Sequence, residues 1–426
     1  MTDQQQTGAN SAAAAPAGDL LAEVSDFFGD DSPLRRLAQF SDKTYEDRPQ
    51  QRQMAMAIAN TFARGRHLLS EAPTGVGKSF AYLVPAIFLA RATDKPVVVS
   101  THTIALQEQL LHNDIPLLQQ LLPFQFSAAL AKGRSNYVCL NRLEKCHTDG
   151  QAYLPHMDLA SEIERIAAWA AETADGTRAD LDFKPRSQVW QQVCSDAEAC
   201  PCGRAQGQVD CFFTRARRRL FKADIIITNH ALLCADFAMN TGNGRDQGIL
   251  PAYAGLVIDE GHTFEQVAAT HLGARVGNFD IIAMLNRLYH PRHHRGLLQG
   301  CEAAEGAREA AIALWQAAAA FFDHLQNWLE QQDENPLAYE HAGHVPNELA
   351  EPLAHLAEQL APVLDQPELD ADRKRELRAM HKRLQELRQG FDNFLNMRLA
   401  DHVYWFERYG RDRRYVSLNA VPVEVA

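Results

Sequence analysis

Residues 65–81 read GRHLLSEAPTGVGKSFA, and the fold follows from how this stretch is read. Leu68 and Leu69 predict the end of a short buried strand, residues 71–77 a loop, and residue 78 onward a helix. Gly75 and Gly77 let the backbone turn its N–H groups toward one point, and the helix N-terminus adds partial positive charge. Lys78 can then reach the β- and γ-phosphates of a nucleotide, and the Ser79 hydroxyl can ligate Mg²⁺. Ala72 stands where the common phosphate-loop pattern has glycine; Pro73, Thr74 and Val76 complete the loop. A glycine-rich turn ahead of a core helix is the bland alternative. It would leave a lysine at a buried helix end with no anion to meet.

With 426 residues the chain can build a large α/β core and one or two further modules. A formal charge of -12 means that any nucleic-acid binding must come from local patches. No apolar run reaches membrane-spanning length, and residues 1–18 lack the basic-then-apolar order of a secretory signal. Residues 1–19 read as a disordered tail by composition. The expected compartment is the cytoplasm, where eight cysteines are thiols or metal ligands before they are disulfides.

Around the loop the pattern is α/β. Residues 20–28 suggest a short amphipathic helix and 34–40 a second apolar segment, and residues 50–63 carry apolar positions at helical spacing until Gly65 stops them. Arg48 and Gln51 open that segment, placed either as solvated cap residues or as a pair reaching toward a base. Strands are predicted at 96–101, 126–130, 223–228 and 255–258, with a helix at 104–111. The series is interrupted from about 139 to 215. There, 158–175 reads as a helix and 176–192 as a polar, irregular segment anchored by Trp190, and the polar composition of 139–215 offers little core of its own. From 263 to about 407 long helical segments dominate (278–290, 304–337, 348–364, 370–407), before one or two short strands at the end.

Three further groups carry chemistry. Asp259 and Glu260 follow the apolar strand 255–258, at the carboxyl end where α/β proteins bind ligands. Asp259 suits Mg²⁺, Glu260 suits orienting and deprotonating a water, and His262 suits a relay or a helix cap. Cys139, Cys194, Cys200, Cys202 and Cys211 all fall within the interruption, where four thiolates could enclose zinc or an iron–sulfur cube. The basic run 215–222 (RARRRLFK) lies beside them, either a solvated helix face or a phosphate track, and Lys132 and Arg134 could extend it.

EAPTGVGKS, VVVSTHTIALQEQ, ADIIITNHALL and VIDEGH, in this order, resemble the first motor domain of superfamily 2 helicases. With GRSNYVC and CFFTRARR they resemble the XPD-like iron–sulfur group and, within it, the DinG-type bacterial helicases, with the YoaA group as nearest rival. The resemblance implies an ATP-dependent 5′-to-3′ DNA helicase of repair or replication. Its RecA-like parallel-sheet motor domain would occupy residues 20–138 and 216–275, interrupted by an iron–sulfur module at 139–215. An all-helical arch would fill 276–410 and a C-terminal region would begin at 411–426. Cofactors implied are ATP, Mg²⁺ and a [4Fe–4S] cluster on Cys139, Cys194, Cys200 and Cys211, with Cys202 a departure, read as a spare thiol or else as a replacement for Cys200. Arg48 and Gln51 match the adenine-side motif; Thr101 and Gln107 fall in the DNA-contacting one. Implied partners are 5′-tailed single-stranded, forked or R-loop DNA and a single-stranded-DNA-binding protein, met by a monomer that needs no membrane.

No second α/β series with the Ser-Ala-Thr motif and arginine fingers of the family is found after residue 262. A chain with half a motor is expected to be inactive alone. Rival readings are a P-loop ATPase acting on RNA or protein, a zinc-stabilised nucleic-acid-binding ATPase, and a nuclease fused to a motor. The first has no use for cysteines beside a basic run. The last lacks an acidic metal site in residues 1–45.

Overall fold

The computed structural model describes residues 17–39, 46–148, 157–197, 200, 211–243, 248–292, 294–332, 334–367, 369–410 and 413–423. The chain divides into two compact units, 1–132 with 217–267 and 133–216 with 268–426.

The first unit is built on a parallel sheet of β1 (Val97–Thr101), β2 (Ala128–Leu130), β3 (Ile225–Asn229) and β4 (Gly255–Ile258), in the order β2-β3-β1-β4. Val97 pairs with Ile225 on one side and Gly255 on the other. β1 and most of β3 are buried, as runs of Val and Ile require when both faces of a sheet are covered. The helix Lys78–Thr93 supplies much of that cover, and its residues 81–90 are all buried. It shares an apolar core with the helices Pro49–Ala63 and Ala17–Phe27. A Cβ on Gly255 would lie 2.9 Å from Leu89 and 3.0 Å from Phe62, so β4 needs glycine where these helices press on it. Truncating a residue such as Ile87 to Ala should cost about 2–5 kcal/mol.

Two expectations change in this unit. A helix already begins at Ala17, inside the stretch read as tail; residues 1–16 lie outside the described residues. More consequentially, Leu68 and Leu69 form no strand: Leu68 is 44% exposed and Leu69 100%. Gly65, at φ 59°, turns the chain out of the preceding helix, and Arg66 N–H caps back onto Thr61 O at 3.0 Å. Among the described residues β4 pairs only with β1. The segment therefore has no ladder of hydrogen bonds to hold it extended.

In the second unit, helices Asn278–Leu288, Glu305–Glu330, Ala350–Leu364 and Ala371–Leu395 surround one large apolar core. An antiparallel sheet runs β5-β8-β7-β6, from β5 (Ala274–Gly277), β6 (Leu337–Ala338), β7 (His402–Tyr409) and β8 (Tyr415–Pro422). The helix expected over 370–407 thus stops at Leu395, and the strand β7 follows. In HVYWFERY the burial alternates: Tyr404 and Phe406 are buried, between the more exposed Val403, Trp405 and Glu407. Phe406 meets the rings of Trp328, Tyr339 and Phe394 at 5.0–5.7 Å.

The cysteine-bearing segment of this unit has its own core, contrary to the polar reading of 176–192. Leu143, Ile163, Ile166, Val189, Trp190 and Phe212 pack together, from the helices Leu140–Thr148, Met157–Glu172, Ser187–Val193 and Phe212–Leu220. Trp190 Nε1 donates to Ser135 O at 2.8 Å, which satisfies the one polar atom of the anchor. Lys145 ties this segment to the long helix Ala371–Leu395, at 2.9 Å from Asp372 and 3.8 Å from Glu376. Among the described residues no helix is long and apolar enough to cross a membrane.

Candidate functional site

The loop 71–77 ends at Gly77, the N-cap of the helix Lys78–Thr93. Gly75 and Gly77 have φ of 88° and 85°, in the left-handed region where a side chain is strained. Gln51 Nε2 donates to Gly77 O at 2.8 Å. A Cβ on Gly77 would fall 2.2 Å from that Nε2 and 3.6 Å from Arg48 Nη1. Both residues of the expected base-side pair therefore stand at the mouth of the loop. Arg48 itself is exposed and paired with Glu46 at 3.0 Å. Ala72 and Val76 are half-buried, while Pro73, Thr74 and Gly75 face solvent.

β4 delivers Asp259 and Glu260 to the same place. Lys78 Nζ lies 3.0 Å from Glu260 Oε1, and the ammonium holds that carboxyl below its usual range. Glu260 sits at φ 55°, an uncommon conformation for a residue with a side chain and one concentrated at functional sites. Its N–H donates to Asp259 Oδ1 at 3.0 Å, and its carbonyl accepts from Thr263 Oγ1 at 2.9 Å. His262 Nδ1 is 3.5 Å from Glu260 Oε2 and largely exposed.

Three residues of this site, Tyr82, Asp114 and His230, were given no role by the sequence. Tyr82, in the buried part of the phosphate-loop helix, donates its hydroxyl to Asp259 Oδ2 at 3.1 Å. Burial, and next the Asp259 charge, push the phenol well above its ordinary value. Asp114 closes a π-helical turn, Leu110–Asp114, and burial raises its carboxyl. The nearby Ser79 hydroxyl partly offsets both shifts. His230, 1% exposed, bonds Ser100 Oγ through Nδ1 at 2.7 Å and faces the main chain of Asp259 and Glu260. Spacing could have flagged Tyr82, which stands four residues after Lys78 and three after Ser79, on their face of the helix.

Hard oxygen donors suit Mg²⁺, and the hydroxyl of Ser79 and the carboxylate of Asp259 are such donors, the latter held by Tyr82 of the helix that carries Ser79. Thr101 and Gln107, expected at a DNA-contacting position, are instead buried; His102, Thr103 and Ile104 are the exposed residues of that turn.

The cysteines are brought together in part. Cys139, Cys194, Cys200 and Cys211 are all buried, and Cys200 Sγ lies 3.2 Å from Cys139 Sγ. Main-chain N–H groups point at two of the sulfurs, Asp196 N to Cys200 and Thr214 N to Cys211, each at 3.3 Å. The Cys139 contact draws the Cys200 thiol down to about 5, whereas burial pushes Cys194 up. Arg142, 5% exposed, donates to the carbonyls of Cys194 and Gln191 beside them. Buried sulfurs that accept N–H bonds fit a thiolate-ligated metal or cluster in kind. Among the described residues, however, no three metal-ligating side chains gather in a binding arrangement. Cys202 lies outside the described residues.

The basic run is divided in its uses. Arg217 donates to Ile249 O at 2.8 Å, Arg215 stacks on Phe212 at 4.6 Å, and Arg134 stacks on Phe213 at 4.2 Å. Arg218, Arg219 and Lys222 are exposed, next to Phe221, which is 60% exposed.

A glycine-bearing loop at a helix N-terminus, facing an Asp-Glu pair at a strand end, has the geometry of a candidate P-loop nucleotide site. Residues 48–148 match the DEAD/DEAH box helicase family. ATP-dependent helicase DinG of Mycobacterium tuberculosis (strain ATCC 25618 / H37Rv) is 40% identical over 50% of this chain and 33% of its own length. ATP-dependent DNA helicase YoaA of Escherichia coli (strain K12) is 33% identical over 56% of this chain and 36% of its own. The protein named 3′-5′ exonuclease DinG of Bacillus subtilis (strain 168) is 34% identical over 57% of this chain and 25% of its own. The chain thus spans about a quarter to a third of the length of these relatives. Over about half of its residues the chain is similar to DinG and YoaA helicases.

Proposed function

We propose that this chain carries the ATP- and Mg²⁺-binding half of a DNA helicase motor, and that a protein of its relatives' length unwinds DNA with 5′-to-3′ polarity. The observation that carries this reading is the meeting of Lys78 with Glu260, and of Tyr82 with Asp259, across the gap between loop and strand end. Lys78 binds the terminal phosphates, and the N–H groups of residues 75–78 cradle them. Ser79 and Asp259 hold Mg²⁺, which when bound neutralises charge on the phosphate oxygens. Glu260 orients a water and takes its proton, with His262 beside it as a relay. Arg48 and Gln51 border the base.

Cys139, Cys194, Cys200 and Cys211 are proposed to hold a [4Fe–4S] cluster, a rigid support for the segment that carries the basic run. Arg218, Arg219 and Lys222 are the proposed phosphate contacts, and single-stranded or forked DNA is the proposed partner. Thiol ligands of this kind suit the cytoplasm.

Hydrolysis in such motors draws on positive side chains reaching the γ-phosphate from a second domain, worth about 10³ to 10⁵ in rate in related P-loop enzymes. This chain alone is therefore expected to bind nucleotide and DNA without unwinding. The test is unwinding of 5′-tailed and 3′-tailed duplexes by the chain and by a version extended to its relatives' length, beside DNA affinity across a salt series. Unwinding of only the 5′-tailed duplex by the longer protein, with steeply salt-dependent binding by both, is expected. An extended protein that hydrolyses ATP without any response to DNA would overturn the helicase reading.

A further inference from the structure

Tyr82 is 2% exposed, in a stretch of helix, 81–90, that is otherwise apolar. A phenol there costs desolvation that phenylalanine would avoid, unless its hydroxyl is used. It is used: the hydroxyl donates to Asp259 Oδ2 at 3.1 Å, from a helix that carries Ser79 three residues earlier, and so ties that carboxylate to the serine's own helix. Asp259 Oδ1 meanwhile accepts from Glu260 N at 3.0 Å, so both oxygens of that carboxylate are directed by the protein. Beyond Ser79 stands Asp114, whose Oδ2 is buried without a hydrogen-bond partner. A serine hydroxyl that gives a lone pair to a metal needs an acceptor for its proton, and Asp114 is one in reach.

We propose that Tyr82 is a positioning residue for Mg²⁺, a single buried hydroxyl that sets the serine of the phosphate-loop helix and the aspartate of β4 at the spacing the ion requires. This rests on the assignment of Ser79 and Asp259 to the metal. Tyr82 touches neither nucleotide nor ion; it acts through the two ligands. Its loss should therefore separate metal affinity from nucleotide affinity, which a purely structural residue would lower together.

The experiment titrates Mg²⁺ calorimetrically into the ADP-saturated chain, wild type and Tyr82→Phe, with ADP affinity in EDTA measured alongside. The Mg²⁺ concentration for half-saturation is expected to rise by about 10- to 100-fold in the variant, the usual effect of removing a group that orients a metal ligand. ADP affinity in EDTA should stay within about twofold, because Phe fills the same space. Identical Mg²⁺ titrations of the two proteins overturn the proposal. Wild-type protein labelled with fluorotyrosine gives an answer that needs no variant: the fluorine resonance of residue 82 should move when Mg²⁺ joins ADP, and a resonance indifferent to the ion overturns the proposal. A wild type that binds no ADP even in EDTA overturns the nucleotide reading itself, and this inference falls with it.

Discussion

Lys78 Nζ lies 3.0 Å from Oε1 of Glu260, a partner 182 residues along the chain. The two side chains are 27% and 33% exposed, so water screens the pair and its strength is that of a partly exposed salt bridge. A terminal phosphate must compete with Glu260 for the same ammonium. Glu260→Gln removes the competitor while leaving the lysine in place. ATP affinity, measured calorimetrically, should be unchanged or tighter by up to about fivefold, and hydrolysis by a protein of full length should be abolished. Binding weakened tenfold would show that Glu260 holds the nucleotide rather than the water.

Gly77 is constrained twice, by φ of 85° and by Gln51 Nε2 at 2.2 Å from where a Cβ would be. Gly77→Ala should destabilise the chain by about 1–2 kcal/mol in urea unfolding and weaken nucleotide binding. Adding Gln51→Ala relieves the clash but not the backbone strain. The double variant should recover only part of the stability, and full recovery would mean that the left-handed conformation is unnecessary.

In the second unit, Lys145 holds the Asp372 carboxyl below its usual range. A depressed folded-state value means a contribution to stability that is present above the unfolded value of 3.8 and is lost as pH falls through the folded one. Lys145→Gln should cost up to about 1 kcal/mol near neutral pH, since the pair is partly exposed. Urea unfolding at successively lower pH should show the gap to wild type closing below the ordinary aspartate range. A gap that stays constant to pH about 3 would assign the effect to packing of the lysine stem rather than to charge.

Substituting Ser for any one of Cys139, Cys194, Cys200 or Cys211 should strip iron and sulfide from anaerobically purified protein, with loss of the broad absorption at about 400 nm of the proposed cluster. Cys202→Ser should leave the iron content nearly intact. Zinc in place of iron in the wild type would defeat the cluster while sparing the ligand set.

What was legible in the sequence was whatever rests on local pattern. PVVVST, ADIIIT and GLVI are too apolar for anything but covered parallel strands, and the strands β1, β3 and β4 form there. Lys78, Ser79, Asp259 and Glu260 were readable because glycines and a strand end announce them. Tyr82 and His230 were not, since a tyrosine in an apolar helix and a histidine after a strand look like core, and only the tertiary fold sets them against Asp259 and Glu260. Leu68 and Leu69 failed for the opposite reason: an apolar pair suits a strand, but a strand needs a neighbour to bond to, which no local pattern reports. The strand His402–Tyr409 was hidden behind the charged helix that precedes it, because the consecutive aromatics Tyr404, Trp405 and Phe406 carry no period-two pattern of their own.

The central claim is that Lys78 and the loop before it bind the phosphates of ATP. Calorimetric titration of Mg²⁺·ATP into wild type and Lys78→Ala tests it directly. The ammonium makes a charge-assisted contact worth about 1.5–3 kcal/mol, so the variant should bind about 10- to 100-fold more weakly. Equal affinity of the two proteins would contradict the account.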